Sequence, residues 1–443
     1  MREVVVIGAG VAGLAAAARL RERGADVVVL EARLRAGGRV HTLRGDGWPA
    51  PVEEGAEFVH GRDPALARVL RRARLHADEH EDHHWLVTRD GTLRDGQDIW
   101  EAGLPLMEDD AGGERSMAQK LRDARRHGAA AEACDFALAY VEGFHAAPPA
   151  RASARAIAEQ QEAADEAHGD ELRRVREGYD AVVAQLAADA RLATDAAAGT
   201  TLRLGAVVRR VRWRRGRVTV ELRSALDDRA LPAVTARRAV ITLPLGVLAG
   251  RAAAARVAFS PSLPSAKRRA IDALAMGDVV KVALRFREPW WAAHEARLGT
   301  PLSFVHERRA AVPTWWRPLP FRAPMLIGWA GGPAAQRLSG RPAATIARAA
   351  LASLAKTLRT PTARLRELLQ AWHVVDWSRD PFAAGAYSWV PVGAAAAPAA
   401  LAAPVDDTLF FAGEATNSDG ASGTVHGAIA TGRRAADEIL RRR

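Results

Sequence analysis

The sequence predicts an α/β fold in which one parallel sheet is assembled from the two ends of the chain. Three observations support this prediction. An apolar strand, a glycine-rich turn and a helix open the sequence, a buried strand and a helix close it, and helical and strand-like segments separate the two. Because 443 residues are many for a single hydrophobic core, we expect two domains.

The opening segment has the pattern of a βαβ unit that binds a dinucleotide. In chain order it consists of a strand at 4–7, a turn at 8–13, a helix at 14–23 that Gly24 ends, the strand Val27–Leu30 and the acid Glu31. Gly8 permits the tight turn, Gly10 lets the backbone approach a pyrophosphate, and Gly13 allows the helix to pack closely on the sheet. The phosphate then lies at the helix N-terminus, and the Glu31 carboxylate accepts hydrogen bonds from ribose hydroxyls.

The composition is that of a soluble globular protein, with 49% hydrophobic and 26% charged residues. A net charge of +11 would suit a nucleic-acid partner, but the arginines are spread along the whole chain, so we expect none. No stretch of about 18 residues is uninterruptedly apolar. We therefore expect no membrane partner and a cytoplasmic location.

Cysteine and histidine usage points away from disulfides and metals. The single cysteine, Cys134, excludes an internal disulfide, and we expect it to be buried. His80, His83 and His84 lie among acidic residues in a stretch that we interpret as a solvated loop. No Cys/His cluster has the spacing of a metal site, so we expect no metal.

The middle of the chain supplies the remaining elements. Gly37, Gly38 and Arg39 offer free amides and a guanidinium to an anion. The further predictions, in order, are mostly helix at 63–191, an antiparallel meander at 201–243 with turns at Gly216 and Asp227, a strand at 276–286, a helix at 351–369 broken at Thr360, a low-complexity stretch at 394–404, a strand at 409–413 and a helix at 425–440.

This order predicts a discontinuous nucleotide-binding domain into which the second domain is inserted twice. We place the nucleotide-binding domain at 1–75, 180–268 and 381–443, and a substrate-binding domain at 76–179 and 269–380.

Motifs along the whole length of the chain resemble those of the flavin-containing amine oxidases, a family of monoamine oxidases, polyamine oxidases and lysine-specific histone demethylases. They are most similar to the polyamine oxidases. The motifs are the opening fingerprint, Glu31 with Gly37-Gly38-Arg39, residues 55–61 and 242–248, Lys281-Val282 with Phe286, residues 377–387, and residues 411–416 with 423–428. The resemblance implies a Rossmann FAD-binding domain of the glutathione-reductase type with an inserted α+β substrate domain of mixed sheet and helices.

The resemblance also implies the residues that bind FAD. Glu31 would hold the adenosine ribose, Arg39 the pyrophosphate region and Glu414 the ribityl-phosphate chain. The helix that starts at Val425 would point its N-terminus at the flavin, and Ala386 stands where monoamine oxidases carry the cysteine that bonds the flavin, so noncovalent FAD is implied. The full implied set is Gly8, Gly10, Ala12, Gly13, Glu31, Ala32, Arg33, Gly38, Arg39, Gly55, Ala56, Glu57, Phe58, Val208, which would meet the adenine by its backbone, Gly413, Glu414, Thr424 and Val425.

Four residues are implied at the reactive end. Lys281 alternates with apolar neighbours, and a lysine in that pattern is ordinarily solvated, but it resembles the family's lysine that contacts flavin N5 through a water. His60 falls where animal polyamine oxidases have a histidine that faces the amine. Tyr387 matches one wall of an aromatic cage, and the opposite wall, a tyrosine in monoamine oxidases, falls on Thr424, which implies an open channel. Residues 417–422 lack an aromatic-proline pair, so we expect a wider or less apolar pocket.

The reaction implied is FAD-dependent oxidation of an amine by hydride transfer to flavin N5, hydrolysis of the imine to an aldehyde, and reduction of O2 to H2O2. The substrate is a small-molecule amine, and the protein would be a monomer or homodimer. Two alternatives stay open: an L-amino-acid oxidase whose arginines clamp a carboxylate, and a flavin-domain scaffold without catalysis. Acidic residues that could line the channel, or form a solvated helix face, are Glu108, Asp109, Asp110, Glu159, Glu162, Asp165, Glu166, Asp170 and Glu171.

Overall fold

The computed structural model describes residues 1–108, 113–169, 171–193 and 202–442. The strands are, in chain order, β1 (Arg2–Ile7), β2 (Val27–Leu30), β3 (Thr42–Leu43), β4 (Val52–Glu53), β5 (Phe58–His60), β6 (Ala77–Glu79), β7 (His84–Val87), β8 (Leu93–Asp95), β9 (Leu172–Val175), β10 (Leu202–Arg203), β11 (Ala206–Arg214), β12 (Arg217–Ser224), β13 (Ala230–Ile241), β14 (Ala258–Ser260), β15 (Ala275–Met276), β16 (Val279–Phe286), β17 (Phe304–His306), β18 (Thr314–Trp316), β19 (Met325–Gly331), β20 (Leu369–Asp376), β21 (Ser388–Trp389) and β22 (Leu409–Phe411).

The helices are, in chain order, α1 (Val11–Glu22), α2 (Pro64–Ala73), α3 (Gln97–Gly103), α4 (Met117–Arg126), α5 (Ala131–Gly143), α6 (Ala154–Glu166), α7 (Asp180–Asp189), α8 (Leu245–Leu248), α9 (Ser265–Ala273), α10 (Ala292–Leu298), α11 (Gly332–Leu338), α12 (Ala343–Thr357), α13 (Thr362–Leu368), α14 (Ala397–Ala402) and α15 (Val425–Leu440). Short 3₁₀ helices lie at Ala253–Ala255 and Glu414–Thr416. No helix in the described ranges is both long and apolar enough to cross a membrane.

The larger sheet joins the two ends of the chain. Its parallel part runs β10-β2-β1-β13-β22, and β11 and β12 continue from β13 as an antiparallel meander that β14 extends. The α/β class and the meander are therefore as predicted. Along β1, Val4 and Val6 pack on one face of the sheet while Val5 and Ile7 pack on the other. Both faces of β1 are covered, which is why the strand is apolar without alternation.

The second sheet runs β20-β16-β19-β18-β17-β7-β8. On β16, Val280, Val282 and Leu284 are buried with residues of α12, as the predicted alternation requires. The opposite face of β16 carries Lys281, which points toward the larger sheet and is also buried.

One local prediction is wrong and two are incomplete. His80 and His84 are buried rather than solvated, because their rings pack on Phe58 and Trp100 at centroid distances of 5.0 and 3.6 Å. The region predicted to be mostly helical also supplies β6, β7, β8 and β9 to two sheets. The low-complexity stretch 394–404 contains α14, whose Leu401 is fully buried.

Helix α1 begins three residues before the predicted position, directly at the glycine turn. The break predicted at Thr360 separates α12 from α13, and Cys134 is buried and free. All strands of the larger sheet fall within 1–75, 180–268 and 381–443. However, β5 pairs with β9 and β15 with β21 across the proposed division, so the domain boundaries stay a prediction.

Candidate functional site

A cavity of about 1500 Å³ lies between the two sheets and opens to solvent. Most of the predicted site residues line it, although they come from every part of the chain. These are Gly8, Gly10, Ala12, Glu31, Ala32, Arg33, Gly38, Arg39, Gly55, Ala56, Glu57, Phe58, His60, Val208, Lys281, Tyr387, Gly413, Glu414, Thr424 and Val425. Gly13 does not line the cavity: a Cβ there would lie 2.0 Å from the Gly8 carbonyl oxygen, so this glycine allows α1 to pack on the turn instead.

One end of the cavity is built to receive a nucleotide. Glu31 is 4% exposed, and its two oxygens accept hydrogen bonds from the backbone amides of Ala9 and Arg33, at 2.8 and 2.9 Å. The carboxylate is thereby fixed at the tip of β2 with lone pairs left for hydroxyl donors. Gly10 precedes α1, and a Cβ added to it would meet no protein atom within 4 Å, so the backbone there is open to a close ligand. The uncapped first amides of α1 suit a phosphate at this point.

A buried ion pair follows along the cavity wall. Arg39 donates to a Glu414 oxygen at 2.9 Å and to the Ala386 carbonyl at 2.6 Å. The other Glu414 oxygen accepts from the Ser388 hydroxyl and from the Gly423 amide. Glu414 therefore joins the loop after β22 to the loop before α15, and it holds Arg39 against the cavity.

Lys281 lies at the floor of the cavity as part of a charged cluster. Its ammonium donates to one oxygen of Glu57, whose other oxygen accepts from Arg174 and, at 2.9 Å, from the Trp316 indole. Lys281, Glu57 and Arg174 are 3%, 6% and 2% exposed. Burial alone would raise the pKa of Glu57, but the two cations lower it to about 2.

Tyr387 and Thr424 stand on one side of the cavity. The Tyr387 hydroxyl donates to the Phe144 carbonyl at 2.6 Å, and burial raises the pKa of this hydroxyl. The Thr424 hydroxyl is the N-cap of α15, since it accepts from the Gly427 amide at 2.9 Å and donates to the Ala421 carbonyl at 2.7 Å. Both hydroxyls are thus engaged by protein, and the first amides of α15 face the cavity.

His60 lies at the end of β5, with its ring edge-on to Phe144 at 5.8 Å. Burial and the neighbouring His426 lower the pKa of His60 to about 4. The imidazole is therefore neutral above that pH.

The sequence analysis did not predict an aromatic wall of the cavity, which begins at Phe144 beside His60. Tyr140 stacks on Phe144 at 4.8 Å, and Trp100 meets Tyr140 at 5.7 Å. The spacing of Tyr140 and Phe144 on a predicted helical run was the available signal, because residues four apart share one helix face. Asp82 and Asp165 line the same part of the cavity and act on Tyr140 electrostatically.

Only part of the set of acidic residues predicted to line the channel does line the cavity. Of its described members, Asp165 lines the cavity, whereas Glu108, Glu159, Glu162, Glu166 and Glu171 do not. Asp109, Asp110 and Asp170 lie outside the described residues. Exposed cations also line the outer part of the cavity, namely Arg89, Arg309, Arg337, Lys356 and Arg359.

Comparison with known proteins gives one consistent result. A family model described as flavin containing amine oxidoreductase matches residues 11–440. The chain is 30% identical to polyamine oxidase 3 of Oryza sativa subsp. japonica, covering 99% of this chain and 89% of the relative. It is 29% identical to lysine-specific histone demethylase 1 homolog 2 of Arabidopsis thaliana, covering 99% of this chain and 58% of that protein.

Solved structures share the fold over nearly the whole chain. A putrescine oxidase bound to putrescine superimposes with a TM-score of 0.79 at 23% identity, covering 99% of both chains. Cyclohexylamine oxidase from Brevibacterium oxydans gives 0.79 at 21% identity and covers 100% of this chain and 99% of its own. The match to the family model extends from the glycine turn to the last helix, so the chain belongs to the flavin-containing amine oxidoreductases and is an FAD-dependent enzyme that oxidises amines.

Proposed function

We propose that the chain oxidises small diamines or polyamines and passes the electrons to O2, releasing H2O2 and an aldehyde. The observation that carries the substrate class is the placement of Asp82 and Asp165 beside the aromatic wall at Tyr140. A substrate whose reacting nitrogen lies near Lys281 would place a second, charged nitrogen among these carboxylates. Similar proteins include polyamine oxidases and a putrescine oxidase, which agree with this substrate class.

The residues that would hold FAD are those that line the nucleotide end and the two helix N-termini. Glu31 would accept from the ribose, the α1 amides and Arg39 would meet the phosphates, and the α15 amides would face the flavin. Ala386 offers no nucleophile, so we propose that FAD is bound noncovalently. A cytoplasmic location and a monomeric or homodimeric state stay predictions.

The chemistry that FAD supplies when bound is the acceptance of a hydride from the carbon next to the amine nitrogen. The chain's own residues position and desolvate that amine. Tyr387 forms a rigid wall because its hydroxyl is fixed on Phe144, and the side chain at Thr424 is short enough to leave the channel open. His60 is a neutral hydrogen-bonding partner for the amine, and Lys281 presents a positive charge at the cavity floor.

The test is a matched pair of substrates, putrescine and butylamine, which differ only in the second nitrogen. We expect putrescine to bleach the flavin anaerobically with a lower KM than butylamine. Asp82→Asn should raise the KM for putrescine about tenfold, the loss of one charge-assisted contact, and leave that for butylamine unchanged. Asp90→Asn, which also removes a carboxylate from the cavity lining, is the control. Equal KM values for the two amines in the wild type would refute the diamine proposal.

An L-amino-acid oxidase is the second candidate. The exposed cations of the outer cavity favour it, because a guanidinium such as Arg337 could bind a substrate carboxylate. In the same anaerobic assay, bleaching by L-amino acids at lower concentration than by putrescine would select this function. Bleaching by neither class would point to the scaffold interpretation.

A further inference from the structure

The Lys281 ammonium at the cavity floor contacts one carboxylate, that of Glu57. Glu57 is the only carboxylate among the described residues that contacts it, and the remaining acceptor is the Gly55 carbonyl at a long 3.4 Å. An ammonium has three N–H donors, so one donor stays directed at the cavity that Lys281 lines. The strand neighbours of Lys281, Trp329 and Val375, supply no charge.

The charges of the cluster do not cancel. Lys281, Arg174 and Glu57 together leave one net positive charge in a fully buried setting. Arg174 is also held by the Leu319 carbonyl at 2.9 Å, and the guanidinium cannot lose its proton. An ammonium can. Burial in general favours the neutral form of a lysine and a contacting anion favours the ammonium, so the Glu57 carboxylate is the group that stabilises the charge of Lys281 in this cluster.

Among the described residues, Glu53 is a second carboxylate near Lys281, but it cannot replace Glu57 in this role. Glu53 is close enough to interact electrostatically with Lys281, but its oxygens accept from the Tyr179 amide and the Thr42 hydroxyl. Burial raises the pKa of Glu53 to about 7, so at neutral pH it carries only part of a negative charge.

We propose that Glu57 is a positioning residue whose buried ion pair stabilises the ammonium form of Lys281 and directs it into the cavity. This inference rests on the proposed role of Lys281 beside the flavin. The resemblance assigned Glu57 to the cofactor site, whereas its contacts in the structure are with Arg174, Lys281 and Trp316. Removing the charge of Glu57 would leave the buried Lys281 ammonium without a contacting carboxylate among the described residues.

The test follows the visible absorption of the bound oxidised flavin from pH 6 to 9.5, which senses a nearby charge without turnover. The wild type should show no transition that Lys281→Met abolishes, since Glu53, with its pKa of about 7, contributes only its own. Glu57→Gln should show an additional one-proton transition with a midpoint between about pH 6 and 8, and Lys281→Met/Glu57→Gln should lose it. Glu53→Gln is the matched control, a nearby buried carboxyl removed without a contact to Lys281, and should lose only the transition of Glu53.

A Glu57→Gln enzyme that retains FAD and shows no transition beyond that of the wild type would overturn the inference. If that variant does not retain FAD, the wild type still decides: a transition below pH 9 that Lys281→Met abolishes would show that Glu57 does not hold the proton. The underlying proposal has a separate readout. If Lys281→Met leaves the rate of O2 reaction of the reduced enzyme unchanged, Lys281 has no role beside the flavin, whatever the titration of Glu57→Gln shows.

Discussion

At the scale of single residues, Glu31 shows how a carboxylate is prepared for a ligand. Its hydrogen bonds from the Ala9 and Arg33 amides fix the side chain before any ligand binds. Glu31→Ala should therefore weaken FAD binding to the apoprotein by about 10–100-fold, the equivalent of one charge-assisted hydrogen bond with its positioning. Titration of flavin fluorescence measures this. Glu22→Ala, an exposed acid on α1, should bind as the wild type does, and equal affinity for both variants would contradict the assignment.

Tyr387 offers a second prediction at this scale. Tyr387→Phe keeps the ring and loses the hydrogen bond to the Phe144 carbonyl, so the KM for amine should rise only a few-fold while stability falls by about 1 kcal/mol. Tyr387→Ala removes the wall and should raise the KM more than tenfold. Steady-state kinetics with thermal melts separate the two effects. A larger KM change in the phenylalanine variant than in the alanine variant would argue against a wall.

The burial of Lys281 illustrates what the sequence could and could not predict for a residue. Alternation on β16 correctly set Lys281 on the face opposite Val280 and Val282. Whether that face is solvated depends on Glu57, which lies 224 positions earlier in the chain, in the loop before β5. Local pattern carries no information on such a partner, and only the family resemblance placed Lys281 at the site.

At the scale of elements, α15 depends on Thr424 for its N-cap, and its first turn faces the cavity. Thr424→Ala removes the acceptor for the Gly427 amide and should lower the free energy of unfolding by about 0.5–2 kcal/mol. Because the same turn frays, the affinity for FAD should fall as well. Thr424→Ser keeps the hydroxyl and should restore both properties in thermal melts and FAD titrations. A serine variant as impaired as the alanine variant would show that the methyl group, not the cap, matters.

Elements were predictable where one physical pattern dominates. The apolar run of β22 and the amphipathic helix α15 were placed correctly at the C-terminal end of the chain, and the turn at Gly216 divides β11 from β12 as expected. The short strand β7 was missed because it carries polar and aromatic residues that pair with β17 and pack on Trp100, and β8 was missed with it because, among the described strands, β8 pairs only with β7. Helix α14 was missed because alanine and proline alone give no periodic signal.

At the scale of the whole molecule, the cavity joins segments that no local reading could bring together. Glu31 and Arg39 come from the first part of the chain, Lys281 from the middle and Glu414 from the end. The ion pair between Arg39 and Glu414 spans 375 positions. The order of elements was sufficient to predict that one sheet is assembled from the two ends of the chain. The contacts between these distant segments depend on long-range packing, which the order of elements does not specify.

Because these distant segments meet at one cavity, removal of FAD should destabilise the chain as a unit. A ligand that binds only the folded state stabilises it by about 1.4 kcal/mol for each tenfold of free ligand above its Kd. The melting temperature of the apoprotein should therefore rise steadily with added FAD, and less with riboflavin, which lacks the adenosine diphosphate that Glu31 and the α1 amides would bind. Glu31→Ala should reduce the gain from FAD and leave that from riboflavin unchanged. A melting temperature independent of FAD would mean that FAD does not stabilise the contacts between these segments.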